Sequence, residues 1–190
     1  MTHRTLLLST LTAILTVSLS LTGACTPDSA PKEAEATFLG VGDSLPDFSL
    51  QTATGEAMTR ADLLGEGPIV IYFYPKDETM GCTAQACSFR DHYAEFQAAG
   101  AEIIGVSADS VASHQAFAEN HGLPFTLLAD PNNTLREAFG VPETLGFLAG
   151  RVTYICDTKG VIRHVFDSQI RVYAHVDAAL EVVKALANTD

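Results

Sequence analysis

The chain has 190 residues, of which 47% are hydrophobic and 18% are charged, so it is long enough and apolar enough to bury a core. This composition excludes a largely disordered chain. The formal net charge of −12 would repel a phosphate backbone, which argues against nucleic acid as a partner.

The N-terminal segment predicts a leader. No charged residue follows Arg4 until Asp28, and the residues between them are mostly apolar with interspersed Ser and Thr. A short basic start before such a stretch is typical of a secretory signal, so we assign residues 1–24 to a signal peptide. An uncleaved membrane anchor is the alternative, although the stretch lies near the lower length limit for a span.

The sequence LTGAC, residues 21–25, resembles a bacterial lipobox. The resemblance implies that Cys25 carries a lipid and that this anchor is the chain's contact with a membrane. The expected location is then the bacterial cell envelope, facing the periplasm or the exterior. Residues 25–40 are rich in Pro, Ala and charge, which predicts a flexible tether in front of a domain at residues 41–190.

The domain begins with Phe48 and Leu50 alternating with polar residues before a Thr-Gly turn, which predicts a short strand. Apolar, β-branched runs then predict buried strands at 68–75, 101–109 and 124–130. Apolar residues at helical spacing predict helices at 84–98, 110–122, 133–140 and 176–187. The segments 151–157 and 161–167, separated by a Lys-Gly turn, predict a hairpin.

This alternation of strands and helices indicates an α/β fold with a mainly parallel sheet, to which the late hairpin adds antiparallel strands. The predicted fold class is therefore α/β, with a central mixed sheet flanked by helices. A helix that begins after the strand at 68–75 would carry Cys82 near its N-terminus.

Cys82 and Cys87 lie close together, and a metal site, a structural disulfide and a reactive pair are three possible reasons. Zinc needs about four ligands, and only His92 lies near the pair, so a metal site is the weaker interpretation. The other histidines of the domain show no metal-ligand spacing and are expected at the surface or in packing. They are His114, His121, His164 and His175.

Helical geometry argues against a permanent disulfide. Residues five positions apart in a helix are separated by a rise of about 7.5 Å and a rotation of about 140°. A disulfide needs Cα atoms within about 7 Å and converging Cβ directions. The reactive interpretation fits better, because a helix N-terminus stabilises a thiolate at Cys82, and Thr79 adds a hydroxyl. Cys156 lies within an apolar strand and is expected to be a buried, inert thiol.

The segment PKDETMGC, residues 75–82, matches the peroxiredoxin pattern Pro-x-x-x-Thr-x-x-Cys. The longer sequence FYPKDETMGCTAQACSFRD resembles the peroxiredoxin Q branch, also called bacterioferritin comigratory protein. Further matches are GDSLPDFSL at 42–50, GVSADS at 105–110 and GRVTYICDTKGVIRHVF at 150–166. Met80 stands where the branch often has Pro.

The resemblance implies a thioredoxin-like fold and a thiol peroxidase active in antioxidant defence. Cys82 would be the peroxidatic cysteine and Cys87 the resolving cysteine, with Pro75, Thr79 and Arg151 as support. The expected partners are hydrogen peroxide or an organic hydroperoxide and a thioredoxin or thioredoxin-like reductant.

No metal, haem or flavin is expected as a cofactor, and the resolving cysteine within the chain allows a working monomer. The alternative is an envelope thioredoxin-like disulfide oxidoreductase, which usually needs Cys-x-x-Cys rather than the Cys-x4-Cys found here.

Overall fold

The hydrophobic runs of the sequence form the strands of one large sheet. The computed structural model describes residues 38–144, 146 and 148–188. Within these residues the strands are β1 (Ser49–Thr52), β2 (Ala57–Thr59), β3 (Ile69–Phe73), β4 (Glu102–Ser107), β5 (Thr126–Ala129), β6 (Glu143–Thr144), β7 (Leu148–Ala149), β8 (Val152–Cys156) and β9 (Ile162–Asp167). The helices are α1 (Met80–Asp91), α2 (Tyr93–Ala98), α3 (Val111–His121), α4 (Thr134–Ala138) and α5 (Val172–Ala187), with a 3-10 helix at Arg60–Leu63.

The sheet is mixed and flanked by helices, which confirms the predicted fold class. Its strand order is β2-β1-β5-β4-β3-β8-β9, and β6 and β7 form a separate small hairpin. Only the pairs β3–β4 and β4–β5 are parallel. The sheet is therefore less parallel than the sequence predicts, because hairpins extend it at both edges.

Alternate residues of β3 point to opposite faces of the sheet and enter two separate cores. Tyr72 packs with Phe89 of α1 and Val176 of α5 on one face. Phe73 packs with Phe139, next to α4, on the other face. Full burial of one such aromatic side chain contributes about 1.5–3 kcal/mol, so burial on both faces fixes β3 firmly. The segment that follows β3 is thus held at a defined place.

Several helix boundaries differ from the sequence prediction, and the helix expected to begin at residue 84 already begins at Met80. The helix expected at 84–98 is two helices, α1 and α2, separated at His92, whose φ is −100° and ψ is 6°. The Nδ1–H of His92 donates to the carbonyl oxygen of Ser88 at 2.9 Å, and the backbone N–H of His92 donates to the same oxygen at 3.2 Å. Helix α5 begins at Val172, four residues before the predicted start at Val176.

The predicted signal peptide and Cys25 lie outside the described residues. At the end of the predicted tether, the Leu39 N–H donates to the Phe139 carbonyl oxygen at 3.0 Å. The ring of Phe38 lies 6.0 Å from that of Tyr154. None of the helices in the described ranges combines the length and the apolar composition that crossing a membrane requires.

Candidate active site

The turn between β3 and α1 carries the motif residues that the sequence singles out. Pro75 is half-buried; it follows β3 and has no N–H to continue the ladder. Thr79 is extended, with φ −85° and ψ 145°, and caps α1. The first helical bond joins the Thr83 N–H to the Thr79 carbonyl at 2.8 Å. Cys82 is consequently the third helical residue, where first-turn N–H groups have no intrahelical acceptor.

Arg151 lies against the sulfur of Cys82. Its Nη2 donates a hydrogen bond to Cys82 Sγ at 3.2 Å, although the two residues are 69 positions apart in the chain. The contact follows from the sheet, because β8 pairs with β3 and Val152 is opposite Phe73. Both side chains are buried. A guanidinium in this position favours the negatively charged form of the sulfur, which is the nucleophilic form.

Gln85 holds Arg151 in place and was missed by the sequence analysis. Its Oε1 accepts a hydrogen bond from Arg151 Nη1, and the Gln85 side chain is fully buried. The carbonyl oxygen of Gln169 accepts from Arg151 Nε at 3.4 Å. Because Gln85 is neutral, it orients the guanidinium without cancelling its charge. Its position three residues after Cys82, on the same face of a helix, is the signal that could have found it.

Thr79 contributes differently from the expectation. Its hydroxyl donates to the carbonyl oxygen of Lys76 at 2.9 Å, so its proton is already used within the turn. The oxygen of that hydroxyl keeps lone pairs, which can accept a hydrogen bond from the O–H of a peroxide. A side chain at position 81 would crowd Arg151, because a Cβ added to Gly81 would lie 3.4 Å from Arg151 Nη2. Glycine at this position therefore keeps the space beside the guanidinium free.

Cys87 lies further along α1 and is not in a disulfide. The three cysteines of the described residues are free thiols, with Cys82 and Cys156 buried and Cys87 partly exposed. Since α1 is continuous from Met80 to Asp91, Cys82 and Cys87 cannot bond in this conformation. Burial raises the pKa of the Cys156 thiol to about 12, with a smaller effect from Asp157. Cys156 is accordingly a protonated, weakly nucleophilic thiol at neutral pH.

A neutral histidine supports the segment that binds Arg151. The Nε2–H of His175 donates to the carbonyl oxygen of Ser168 at 2.8 Å, and its Nδ1 accepts from the Thr153 hydroxyl at 2.8 Å. Burial lowers the pKa of His175 to about 4, and the nearby Arg151 adds to this effect. His175 therefore stays uncharged at neutral pH and adds no competing charge near Arg151.

One cavity among the described residues lies away from the cysteine site. A cavity of about 350 Å³ is lined by Tyr93, Glu102 and Phe125, near the start of β4 and β5, and contains none of the predicted site residues. In the part of the chain that the structure describes, no group of three or more His, Cys, Asp or Glu residues is placed to hold a metal ion.

Comparison with known proteins gives a consistent result. The model of the AhpC/TSA family matches residues 41–165. The chain is 45% identical over 161 residues to the chloroplastic peroxiredoxin Q of Sedum lineare, covering 83% of this chain and 86% of that protein.

Among solved structures, peroxidoxin BcpB from Mycobacterium tuberculosis superposes with a TM-score of 0.72 at 37% identity, covering 78% of this chain and 98% of that one. The bacterioferritin comigratory protein of Xanthomonas campestris superposes with a TM-score of 0.69 at 35% identity. That match covers 74% of this chain and 92% of the other.

The comparisons overturn one prediction. The curated relatives from Sedum lineare, Populus jackii and Arabidopsis thaliana are chloroplastic proteins. The predicted location, lipid-anchored in a bacterial cell envelope, is therefore wrong. The LTGAC resemblance that led to it concerns residues 21–25, which lie outside the described residues.

The comparisons also decide between the two enzyme classes that the sequence left open. The relatives and the solved structures are peroxiredoxins, so a disulfide oxidoreductase is not favoured, and a thioredoxin-dependent thiol peroxidase is the function that they support. A thioredoxin-like fold, an AhpC/TSA family match and peroxiredoxin Q relatives all agree, and the chain belongs to the AhpC/TSA family as a peroxiredoxin of the peroxiredoxin Q branch.

Proposed function

We propose that Cys82 is the residue that attacks the peroxide and that Cys87 is the residue that resolves the oxidised product. The observation that carries this assignment is the hydrogen bond from Arg151 Nη2 to Cys82 Sγ at 3.2 Å, made at the first turn of α1. A guanidinium and free helix N–H groups together favour a thiolate. Arg90 also lies beside Cys87, but that arginine is partly exposed and paired with Asp91, whereas Arg151 and Cys82 are both buried.

The first step is displacement at oxygen. The Cys82 thiolate attacks the terminal oxygen of the peroxide, an S–O bond forms, and the O–O bond breaks. The leaving hydroxide or alkoxide takes up a proton and departs as water or alcohol, while Cys82 becomes a sulfenic acid. Arg151 and the first-turn N–H groups meet the negative charge that moves onto the departing oxygen. Thr79 accepts the hydrogen bond of the peroxide O–H, and Pro75 shields the sulfur from water.

The second step needs a change in conformation. The Cys87 thiolate attacks the sulfur of the Cys82 sulfenic acid, the disulfide forms, and water leaves. Since both cysteines lie on the intact helix α1, its first turns must unwind before the sulfurs meet. A thioredoxin-like dithiol then reduces the disulfide through a mixed disulfide and is itself oxidised. Two thiols thus supply the two electrons that reduce the peroxide.

Organic hydroperoxides are proposed as substrates together with hydrogen peroxide. Exposed apolar side chains border the site: Met80 is 89% exposed and precedes Gly81, and Ile170 is 86% exposed beside the Gln169 carbonyl that binds Arg151. An alkyl chain can lie against such side chains while its peroxide group reaches Cys82. The related Xanthomonas campestris protein is described for alkyl peroxide reduction activity, which supports this substrate class.

The working unit is proposed to be a monomer of residues 41–190, because both reactive cysteines come from one chain. Removal of residues 1–24, a tether at 25–40 and lipidation of Cys25 stay predictions. The mass of the mature N-terminal peptide tests cleavage and lipidation, since each changes that mass by a defined amount.

Peroxide consumption by the full reduced chain, with thioredoxin, thioredoxin reductase and NADPH, tests the proposed function. Wild type is expected to turn over, Cys82→Ser to lose turnover with its circular dichroism spectrum retained, and Cys156→Ser to behave like wild type. The Cys156 variant is the matched control, since it also removes one buried thiol. Substantial turnover by Cys82→Ser would refute the assignment of the attacking residue.

A further inference from the structure

A buried polar cluster lies directly before the peroxidatic helix, and the mechanism above does not use it. Asp77 follows Pro75 by two residues and is only 4% exposed, and His114 of α3 is fully buried. Burying a carboxylate and an imidazole is costly unless both are hydrogen-bonded. The hydrogen bonds of these two groups therefore show which protons they hold.

The carboxylate of Asp77 makes hydrogen bonds with three side chains, and the Tyr74 hydroxyl also lies 3.4 Å from His114 Nδ1. Asp77 Oδ1 accepts from the Tyr74 hydroxyl at 2.7 Å. Its Oδ2 lies 2.8 Å from the Ser113 hydroxyl and 2.9 Å from His114 Nδ1. Burial raises the pKa of Asp77, but the hydrogen bonds from His114 and Tyr74 outweigh burial, and the net shift is downward.

The partners of His114 require an additional proton. His114 Nε2 lies 3.1 Å from the carbonyl oxygen of Leu128, which can only accept, so Nε2 carries a proton. Nδ1 faces Asp77 Oδ2, so a second proton lies between these two atoms, on one or the other. Asp77 and His114 together hold one proton more than a neutral imidazole and an ionised carboxylate would.

This pair joins the loop in front of Cys82 to helix α3. The loop is also fastened by its backbone, since the Asp77 N–H donates to Asp109 Oδ2 at 2.9 Å. The next residue, Glu78, has a φ of 57° and accepts hydrogen bonds from Asn120 and His121 at the end of α3. A non-glycine residue in this left-handed conformation is strained, so the loop keeps its shape only while α3 holds it.

We propose that Asp77 and His114 are positioning residues for the peroxidatic thiol: their shared proton fastens the loop before α1 to α3 and keeps the first turn of α1 folded in the reduced enzyme. The proposal rests on the proposed function, because the same turn must unwind for Cys82 to reach Cys87. The pair thus sets the balance between the conformation that attacks peroxide and the one that forms the disulfide.

The other titratable groups near the pair do not supply this proton. Burial raises the pKa values of Tyr72 and Tyr74, so both keep their phenolic protons. Asp109 Oδ2 already accepts from the Ser107 hydroxyl and from the Asp77 N–H. Glu78 is paired with Asn120 and His121, and those hydrogen bonds lower its pKa. Without the shared proton, a lone pair of His114 Nδ1 would face the carboxylate of Asp77, and the loop would lose its link to α3.

Stopped-flow kinetics of the full reduced chain test the proposal, with peroxide attack and disulfide formation measured as separate steps. Asp77→Asn and His114→Gln are expected to slow peroxide attack about tenfold, as loss of one buried hydrogen bond would, and to speed disulfide formation. Ser113→Ala is the matched control, because it removes a hydrogen bond to the same oxygen without the shared proton. It should change both steps less than either of the other two variants.

Hydrogen exchange and NMR complete the test. Exchange of the amides at 81–83 should be faster in Asp77→Asn and in His114→Gln than in wild type, because the loop then no longer holds the first turn of α1. In histidine-labelled wild type at neutral pH, either both His114 nitrogens are protonated or Asp77 carries the proton.

Three results overturn the proposal: a bare His114 Nδ1 beside an ionised Asp77, two steps that change in the same direction in the variants, or variants that match wild type. The NMR measurement needs neither catalysis nor a folded variant. If wild type itself fails to consume peroxide, the proposed function fails instead.

Discussion

Replacing Arg151 tests the electrostatic part of the site most directly. In Arg151→Ala the sulfur of Cys82 loses a charged donor that lies 3.2 Å away. The buried Oε1 of Gln85 loses its partner at the same time. A hydrogen bond to a charged group contributes about 1.5–3 kcal/mol, which corresponds to a slowing of peroxide attack by about 10- to 150-fold.

The gross Coulomb attraction is larger, roughly 5 kcal/mol for unit charges 3.2 Å apart at an effective dielectric constant of 20. Only part of this attraction affects the rate, because Arg151 stabilises the thiolate before the reaction as well as the transition state. We therefore expect the second-order rate constant of peroxide attack to fall by about 10- to 150-fold, and not by the full Coulomb attraction. Arg151→Lys should recover part of the loss, since an ammonium keeps the charge but lacks the planar fork that reaches both Gln85 and Cys82.

The assay is stopped-flow oxidation of the reduced chain at neutral pH, with iodoacetamide alkylation to compare the thiolate populations. Arg163→Ala is the control, because Arg163 is a partly exposed arginine of β9 that pairs with Asp157 away from Cys82. Circular dichroism checks that each variant is folded. A rate in Arg151→Ala equal to that of wild type would refute the reasoning and remove Arg151 from the site.

Three further predictions concern the role of Cys87, the unwinding of α1 on oxidation and the pH dependence of stability. Cys87→Ser should react with the first equivalent of peroxide at near the wild-type rate. Its sulfenic acid should then persist or overoxidise, and mass spectrometry would detect the added oxygen. A Cys82–Cys156 link in wild type would contradict the role of Cys87. Oxidation of wild type should remove two thiols and raise hydrogen exchange at 82–90 with little change elsewhere, whereas unchanged exchange there would contradict unwinding. The free energy of unfolding should fall by about 3 kcal/mol as the pH falls from 6.5 to 4, because the unfolded chain takes up a proton at His175 that the folded chain excludes until about pH 4. Denaturant titrations of wild type and His175→Gln would measure this, and equal pH profiles would contradict it.

The sequence predicts the strand and the helix that carry the site well, because local patterns determine these two elements. The apolar, β-branched run of β3 predicts a buried strand, and the helical spacing of Phe89, Tyr93 and Phe96 predicts a helix after it. A helix that begins after this strand carries Cys82 near its N-terminus. The break at His92 was missed because apolar residues at helical spacing continue across it, from Phe89 to Phe96.

The contacts across the fold could not be predicted from local patterns. Arg151 entered through the family resemblance alone, since its contact with Cys82 depends on the register of β8 against β3. Gln85 could have been suspected as a polar residue on a helix face that is otherwise apolar. The pairing of Asp77 with His114 joins a loop to a helix across 37 positions, and no spacing rule indicates it.

The separation of α1 from α2 limits how far the oxidative rearrangement can spread. Helix α2 has its own N-terminus at His92, so loss of hydrogen bonds around Cys82 and Cys87 does not propagate into it. Between the reactive segment and that boundary, Phe89 is stacked on Tyr72 at 4.7 Å and contacts Phe96 at 5.7 Å. These contacts fix Phe89 in the core, so we expect the proposed unwinding to involve the chain before Phe89 and to leave the packing behind it intact. In the proposed cycle only a small cooperative unit then melts and reforms, and the protein should remain resistant to global unfolding in both redox states.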